Sequence, residues 1–330
     1  MWSTHLTSPE VKHIVHLSGT HIRLFLGNAD PDDLTEDAQS AIAAFFQEPG
    51  EFSDERLLEK GAYIDESHQY TVRIELRGVN EKGAAQVAAK GIWGISREKT
   101  VAVLRKELQQ RNGLSLTIHT AGSSSFEFNR AGVDKSLPIR YVRFCWEGIL
   151  DQMKYTPGAL INSRLSRTVI AADGDGTMYS GPAAGHLPAL KDGPVYGPLM
   201  RYLRAGGIFM LISGNDLTRT FKRFIPGLPA ELCPRVLLAA NGGADLARIS
   251  PDGKLDFIED YRHQALEAVA GDQHQSPLDI VYIGDDPGPD GNDRPAFEAV
   301  GQQRAIVVKS LQETKLFLEQ WMHERKIHSA

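Results

Sequence analysis

The sequence predicts an α/β protein: a parallel β-sheet covered on both faces by helices, preceded by a smaller α+β domain. Three observations carry this reading. From residue 167 onward, short runs of consecutive apolar residues alternate with helical patterns, and unbroken apolar strands between helices belong to parallel sheets buried on both faces. Successive runs stop abruptly at Asp173, Ser213, Asn241 and Asp285. Between residues 60 and 130 the pattern changes to strands that alternate apolar and charged residues, as half-buried antiparallel strands do.

Taken in order, the chain opens with two β-rich pieces, His13–Leu17 and His21–Leu26, then a turn-rich acidic segment and a helical pattern from Leu34 to Gln47. Residues 1–55 form an N-terminal extension that matches no part of the later pattern. The next domain, 56–153, begins with two strands around a polar turn, the second alternating Val72, Ile74 and Leu76 against Arg73, Glu75 and Arg77. Arg97 to Gln110 has the spacing of a surface helix, stopped by Gly113. Leu114–His119 and Ser125–Phe128 supply two more strands, so the order β-β-α-β-β describes a small sheet with a helix on one face. A helix follows from about Leu137 to Met153, with Pro138 tolerated in its first turn. The stretch from Tyr155 to Ser163 lies in a linker, 154–166, and the core occupies 167–330.

Within that core the strands are the run ending at Asp173, then Ile208–Ile212, Val236–Ala240, Asp279–Ile283 and Ala305–Val308. Helices are expected near Leu199–Ala205, Leu217–Phe224 and Tyr261–Ala270, with one more at the C-terminus. In a sheet of this Rossmann-like kind, ligands bind outside the carboxyl ends of the strands. The chemistry is therefore expected where Asp173, Ser213, Asn241 and Asp285 converge.

The chain's 330 residues leave room for one large domain or two ordinary ones. A composition of 42% hydrophobic and 24% charged residues is that of a soluble globular protein. The formal net charge of −6 argues against nucleic acid and anionic membranes as partners. Cys145 and Cys233 are far apart in apolar contexts, which fits buried thiols in a reducing compartment. No stretch is long and apolar enough to span a bilayer and the N-terminus lacks a signal-peptide core, so the expected location is the cytoplasm. Nothing in the sequence sets the oligomeric state.

The residues that carry chemistry begin with Asp173-Gly-Asp-Gly-Thr177, where two carboxylates sit one residue apart at a strand end. Like charges this close repel each other, and a bound cation or a division of labour removes that cost. Ser213-Gly214 follows the second core strand, and Gly284-Asp285-Asp286 ends the fourth, with Asn292-Asp293 a few residues on. In this order, and all at strand ends, these segments resemble the first, second and fourth motifs of the haloacid dehalogenase superfamily over roughly residues 165–330.

The resemblance implies Mg²⁺-dependent phosphotransfer through an aspartyl-phosphate. Asp173 is then the nucleophile and Asp175 the acid that protonates the leaving oxygen and later accepts a proton from water. Ser213, Gly214 and a lysine bind the phosphoryl group, and Asp173, Asp175 and Asp285 hold the metal. Asp286, Asn292, Asp293, Thr177 and Asn241 are further candidates. The insertion Pro287–Asp290 leaves the choice among Asp286, Asp290 and Asp293 open.

For the lysine, Arg262 and Lys254 are the local cations, but Ser125–Lys135 resembles the segment in which cap-bearing members present it at a helix start. The piece from Gly61 to Arg77 is similar to the cap of trehalose- and sucrose-phosphate phosphatases. Too few residues separate Asn241 from Asp285 for a cap there, which implies a rearranged order with the cap and Lys135 ahead of the core. The expected function is hydrolysis of a small phosphate monoester, a sugar phosphate first. A nucleoside 5′-monophosphate, a phosphomutase reaction and a non-catalytic binding module are the alternatives. Tyr63, Tyr70, Trp93 and Tyr179 are aromatics available to stack a ring or fill a core.

Overall fold

The computed structural model describes residues 11–17, 20–25, 62–65, 72–76, 101–102, 105–106, 116–121, 125–130, 132–154, 165, 167–180, 188–258, 261, 264–265, 278–289 and 291–327. The expected helix at 34–47, the linker around 155–163, Arg262, Asp290, Tyr70 and Trp93 lie outside these residues. The chain divides into two compact units, one comprising 1–133 with 289–291 and the other 134–288 with 292–330.

In the first unit, β1 (Val11–Leu17) and β2 (Thr20–Phe25) pair as an antiparallel hairpin. Strands β3 (Ala62–Asp65), β4 (Val72–Leu76), β5 (Leu116–Ala121) and β6 (Ser125–Arg130) form an antiparallel sheet in the order β3-β4-β6-β5. Residues 101–102 and 105–106, between β4 and β5, are helical. The order β-β-α-β-β read from the alternation is present.

The second unit starts at Asp134, so helix α1 (Ser136–Lys154) and the lysine before it belong with the core sheet and not with the antiparallel module. The sheet has seven strands: β7 (Thr168–Asp173), β8 (Ile208–Ile212), β9 (Val236–Ala240), β10 (Asp245–Ile249), β11 (Leu255–Phe257), β12 (Asp279–Gly284) and β13 (Ala305–Val307). Their spatial order is β11-β10-β9-β8-β7-β12-β13. From β9 to β13 neighbouring strands are parallel, while β10 and β11 fold back antiparallel at one edge.

Every residue of β7, β8 and β9 is buried, as expected of central strands with both faces covered. The helices of this unit include α2 (Tyr196–Arg204), α3 (Leu217–Phe224), α4 (Arg294–Val300) and α5 (Leu311–Glu324). Helix α2 begins earlier than its apolar spacing suggests, and Pro198 falls in its first turn, where a missing N–H costs nothing. Tyr202 of α2 crosses under Gly207, donating to the carbonyls of Thr168 and Ile208. No side chain larger than hydrogen fits at Gly207 against that ring.

Chain order reverses between β7 and β12, because successive strands run outward from β7 on one side and from β12 on the other. Open α/β sheets place their sites at the carboxyl end of such a switch point. The ends of β7 and β12 carry Asp173 and, one residue past the strand, Asp285.

Candidate active site

The loop after β7 closes tightly on itself. Met178 and Tyr179 N–H donate to the Gly174 carbonyl, and Gly176 N–H donates to the Tyr179 carbonyl. Gly176 has φ +83°, a left-handed conformation that side chains resist, and a Cβ there would lie 2.5 Å from Asp285 Oδ2. That glycine is what lets the ends of β7 and β12 approach.

Lys135 sits immediately before α1. The helix start is shaped by Asp134, whose carboxylate accepts from the Ser136 N–H at 2.8 Å and whose carbonyl accepts from Leu137 N–H. The helix is docked by Tyr141 packing edge-on against Tyr261, by Arg143 donating to the Ala299 carbonyl, and by Pro138 against Gly243. Lys135 is 2% exposed, and its ammonium donates to Asp173 Oδ1 at 2.5 Å and Asp293 Oδ1 at 2.7 Å.

Asp293 is fully buried and its acceptor capacity is used up. Oδ1 also accepts from the Tyr282 hydroxyl at 2.6 Å, and Oδ2 accepts from the backbone N–H groups of Asp285 and Asp286 at 2.9 and 3.0 Å. It ties the end of β12 to Lys135. Gly284 makes this possible, since a Cβ there would lie 2.5 Å from Asp293 Oδ2.

Carboxylate oxygens of Asp173, Asp285 and Asp293 lie within 4.8 Å of one another. Burial is the largest influence on Asp173 and pushes its carboxyl well above the usual range; Asp293 and Asp285 add to this and Lys135 opposes it. Partial burial and then Asp293 push Asp285 up to about 6. Burial works against the Lys135 ammonium, yet Asp173 and Asp293 outweigh it and hold the group protonated. With all three carboxylates ionised, the one ammonium leaves an excess of two negative charges, and a divalent cation would both match that excess and oppose the upward push on Asp173 and Asp285. Hard carboxylate oxygens suit Mg²⁺. Asp285 is solvent-accessible and Asp173 lies within the same cluster, whereas Asp293 is committed to its four donors.

The Asp175 side chain is not part of this cluster. Its Oδ2 accepts from Asn215 Nδ2 at 2.7 Å and its Oδ1 from Arg223 Nη1 at 2.5 Å. Ser213 is buried, and its hydroxyl accepts from the backbone and side-chain N–H groups of Asn215 at 3.1 and 3.2 Å. Gly214 is half-buried between them. Asn241, one residue past β9, has φ +50°; its N–H donates to the Asn215 carbonyl and its side chain to Asp245 at 2.6 Å. Thr177 and Tyr179 are buried in the β7 loop, which makes Tyr179 a core residue. Asp286 and Asn292 are partly exposed beside Asp285 and Asp293. Lys254 is remote from this chemistry, paired with Asp252 on an exposed turn.

Sequence reasoning passed over Asn215, Arg223 and Tyr282. Asn215 was within reach, two residues after Ser213 at the same strand end. Arg223 lies on the face of α3 that also buries Thr220 and Phe224, and a charged residue on an otherwise buried face was its only signal.

No protein-family model and no curated protein matches the chain. Among solved structures, it is similar to an IMP-bound mutant of the Plasmodium falciparum IMP-nucleotidase at 12% identity, covering 53% of this chain and 69% of that one, with a TM-score of 0.36. The ATP-bound form of that nucleotidase aligns at 11% identity over 57% of this chain and 70% of that one, TM-score 0.32. The haloacid dehalogenase-like hydrolase yhjK of Bacillus subtilis aligns at 13% identity over 46% and 79%, TM-score 0.28. At these scores the functional reading rests on the motifs and the geometry of the site itself.

Proposed function

We propose that the protein is a Mg²⁺-dependent phosphomonoesterase of the haloacid dehalogenase kind, acting on a small phosphorylated metabolite. The observation that carries the reading is the ammonium of Lys135 set between Asp173 and Asp293 at the sheet's switch point, with Asp285 beside them. A nucleophilic carboxylate, a fixed cation and a second carboxylate able to share a metal are what phosphoryl transfer needs, since its catalysis is mostly positioning and charge stabilisation.

In this reading Asp173 attacks phosphorus as the ester P–O bond breaks, and the leaving oxygen takes a proton from Asp175. The alcohol departs and the phosphoryl group stays on Asp173. A water then attacks phosphorus and gives its proton to Asp175, the acyl-phosphate bond breaks, and inorganic phosphate and the Asp173 carboxylate are released. Lys135 keeps Asp173 in place and offsets charge on the incoming phosphate. The Ser213 hydroxyl, with its lone pairs engaged by Asn215, donates to a phosphoryl oxygen, helped by the Gly214 backbone. Mg²⁺ held by Asp173 and Asp285 supplies charge neutralisation between the carboxylates and the substrate dianion.

The cap expected at 56–153 would, if it covers the site, favour a soluble metabolite over a phosphoprotein. A sugar phosphate is the first candidate and a nucleoside monophosphate the second. The test is phosphate release from a panel of both classes, with Mg²⁺ and with EDTA, by wild type and Asp173→Asn. Metal-dependent release that disappears in the variant supports the proposal. No release from any ester by folded wild type overturns it, and return of the phosphoryl group to a second substrate hydroxyl would make the protein a mutase.

A further inference from the structure

Arg223 is a buried cation with no part in the steps above. It lies in the last turn of α3 and is 1% exposed. Its guanidinium is held on every side: Nη1 donates to Asp175 Oδ1, Nη2 to the Ser180 carbonyl at 2.6 Å and Nε to the Pro188 carbonyl at 3.1 Å. Its plane rests over the Tyr179 ring, 3.9 Å from the centroid. Tyr179 is itself wedged under Gly174, where a Cβ would lie 2.6 Å from the tyrosine hydroxyl.

Burying a guanidinium is costly, and a well-packed apolar residue in its place is often as stable or more so. Stability alone is therefore a poor reason for Arg223, whereas orientation is a good one. A guanidinium offers its donors in a rigid planar fork, and one Arg223 donor is spent on Asp175 while two anchor it to backbone. Asn215 holds the other oxygen of the same carboxylate. Each oxygen of Asp175 thus has its own fixed donor, yet the side chain keeps 35% exposure. A proton donor gains from such restraint, because transfer needs heavy atoms within hydrogen-bond reach and alignment.

Resting on the phosphatase reading above, we propose that Arg223 is a positioning residue for Asp175, holding the acid–base carboxylate in the single orientation from which it serves the leaving oxygen. Arg223 takes no proton in either half-reaction. The proton moves from Asp175 to the ester oxygen as the P–O bond breaks, and from water back to Asp175 as the acyl phosphate is hydrolysed.

The test compares two esters, p-nitrophenyl phosphate, whose leaving oxygen needs little protonation, and an alkyl phosphate, whose leaving oxygen needs it fully. General acid–base assistance is worth roughly 10²–10⁴-fold. Arg223→Met is expected to lower kcat/KM, which reports the ester-cleaving half-reaction alone, about 10²-fold on the alkyl ester and less than about 10-fold on the aryl ester. The same substitution added to Asp175→Asn is expected to cost almost nothing more, because the two act as a unit. Arg223→Lys, which keeps the charge but cannot span three acceptors, should fall between wild type and Arg223→Met.

Equal losses on both esters, or additive losses in the double variant, would show a merely structural arginine and overturn the proposal. A crystal structure of Arg223→Met, or of Arg223→Lys should the first not fold, reads the same claim without turnover. Asp175 turned from its place, with Asp173, Lys135 and Asp293 unmoved, supports it; Asp175 unmoved overturns it. Absence of phosphate release by wild type would instead be the failure of the phosphatase reading, visible before any variant is made.

Discussion

Lys135 and Asp173 are 38 residues apart in sequence and 2.5 Å apart in space. The same ammonium reaches Asp293, 158 residues downstream of it. A residue ahead of the whole sheet thereby becomes the counter-charge at the sheet's centre, and α1 with its docking contacts exists in the core unit to deliver it.

Removing that charge strands two buried carboxylates. Breaking a buried pair by deleting one partner costs about 3–5 kcal/mol. Lys135→Met should lower the unfolding free energy by about that much in urea titrations of the metal-free protein. Added Mg²⁺ should recover part of the loss, and phosphate release should stay at least about 10²-fold below wild type even at saturating metal. A variant as stable and as active as wild type would refute the role given to Lys135.

Asp293 and Tyr282 separate bracing from chemistry. Tyr282→Phe deletes one hydrogen bond to a carboxylate and should cost about 1–3 kcal/mol. Asp293→Asn should cost more, because its amide would point a donor at groups that are themselves donors: Lys135 and Tyr282 on one side, two backbone N–H groups on the other. Chemical denaturation of both variants checks the ordering, and a milder effect for Asp293→Asn would contradict the hydrogen-bond assignment.

The strands that hold these residues were legible because each is an uninterrupted apolar run with a sharp polar end: β8 and β9 coincide with the runs Ile208–Ile212 and Val236–Ala240, and α3 with Leu217–Phe224. The edge strands β10 and β11 were not read. Strand β10 is as long as β8, but Asp245 and Arg248 break its apolar residues, and β11 is three residues long with Asp256 and Phe257 exposed, so neither carries the apolar run of a buried strand. Helix α4 was missed for a similar reason, being seven residues long and opened by Arg294-Pro295. Asp173, Ser213 and Asp285 could be named from strand ends. The partners of Asp175 could not, because a side chain's direction across a helix–sheet interface is a tertiary fact that local pattern does not encode. The same holds for Asp293, whose exhaustion by four donors marks it as a brace where sequence left it a candidate ligand.

Gly176 tests the approach of the two strand ends. Alanine there must hold φ near +83° and place its Cβ against Asp285 Oδ2. Left-handed backbone costs a non-glycine residue about 1–2 kcal/mol. The larger expected effect is on metal binding, since Asp285 must turn away. Gly176→Ala should weaken Mg²⁺ activation in a metal titration by about 10-fold or more while unfolding only slightly earlier than wild type. Unchanged metal dependence would place the ion away from Asp285.

Protons and metal should compete at Asp285. Its carboxyl is raised to about 6, by partial burial first and then by Asp293, with Asp286 adding and Lys135 opposing. A carboxyl raised on folding contributes stability that is complete below its unfolded value, near 4, and lost as pH rises through the folded value near 6. Metal-free wild type should therefore lose Tm between about pH 4 and pH 6 on this account, and Asp285→Asn should flatten that slope and melt higher than wild type at pH 7. With Mg²⁺ the order reverses. The cation binds the carboxylate form, so the rise in wild-type Tm on adding metal should grow from pH 5.5 to pH 7.5, approaching about 2.7 kcal/mol of added stability at a hundredfold excess over Kd. Asp285→Asn should show little or no rise at any of these pH values. Thermal unfolding of both proteins across that range, with metal and with EDTA, decides the matter: an equal metal-induced shift in the two would remove Asp285 from the ion, and a metal-induced shift in wild type independent of pH would mean the carboxyl is already ionised throughout.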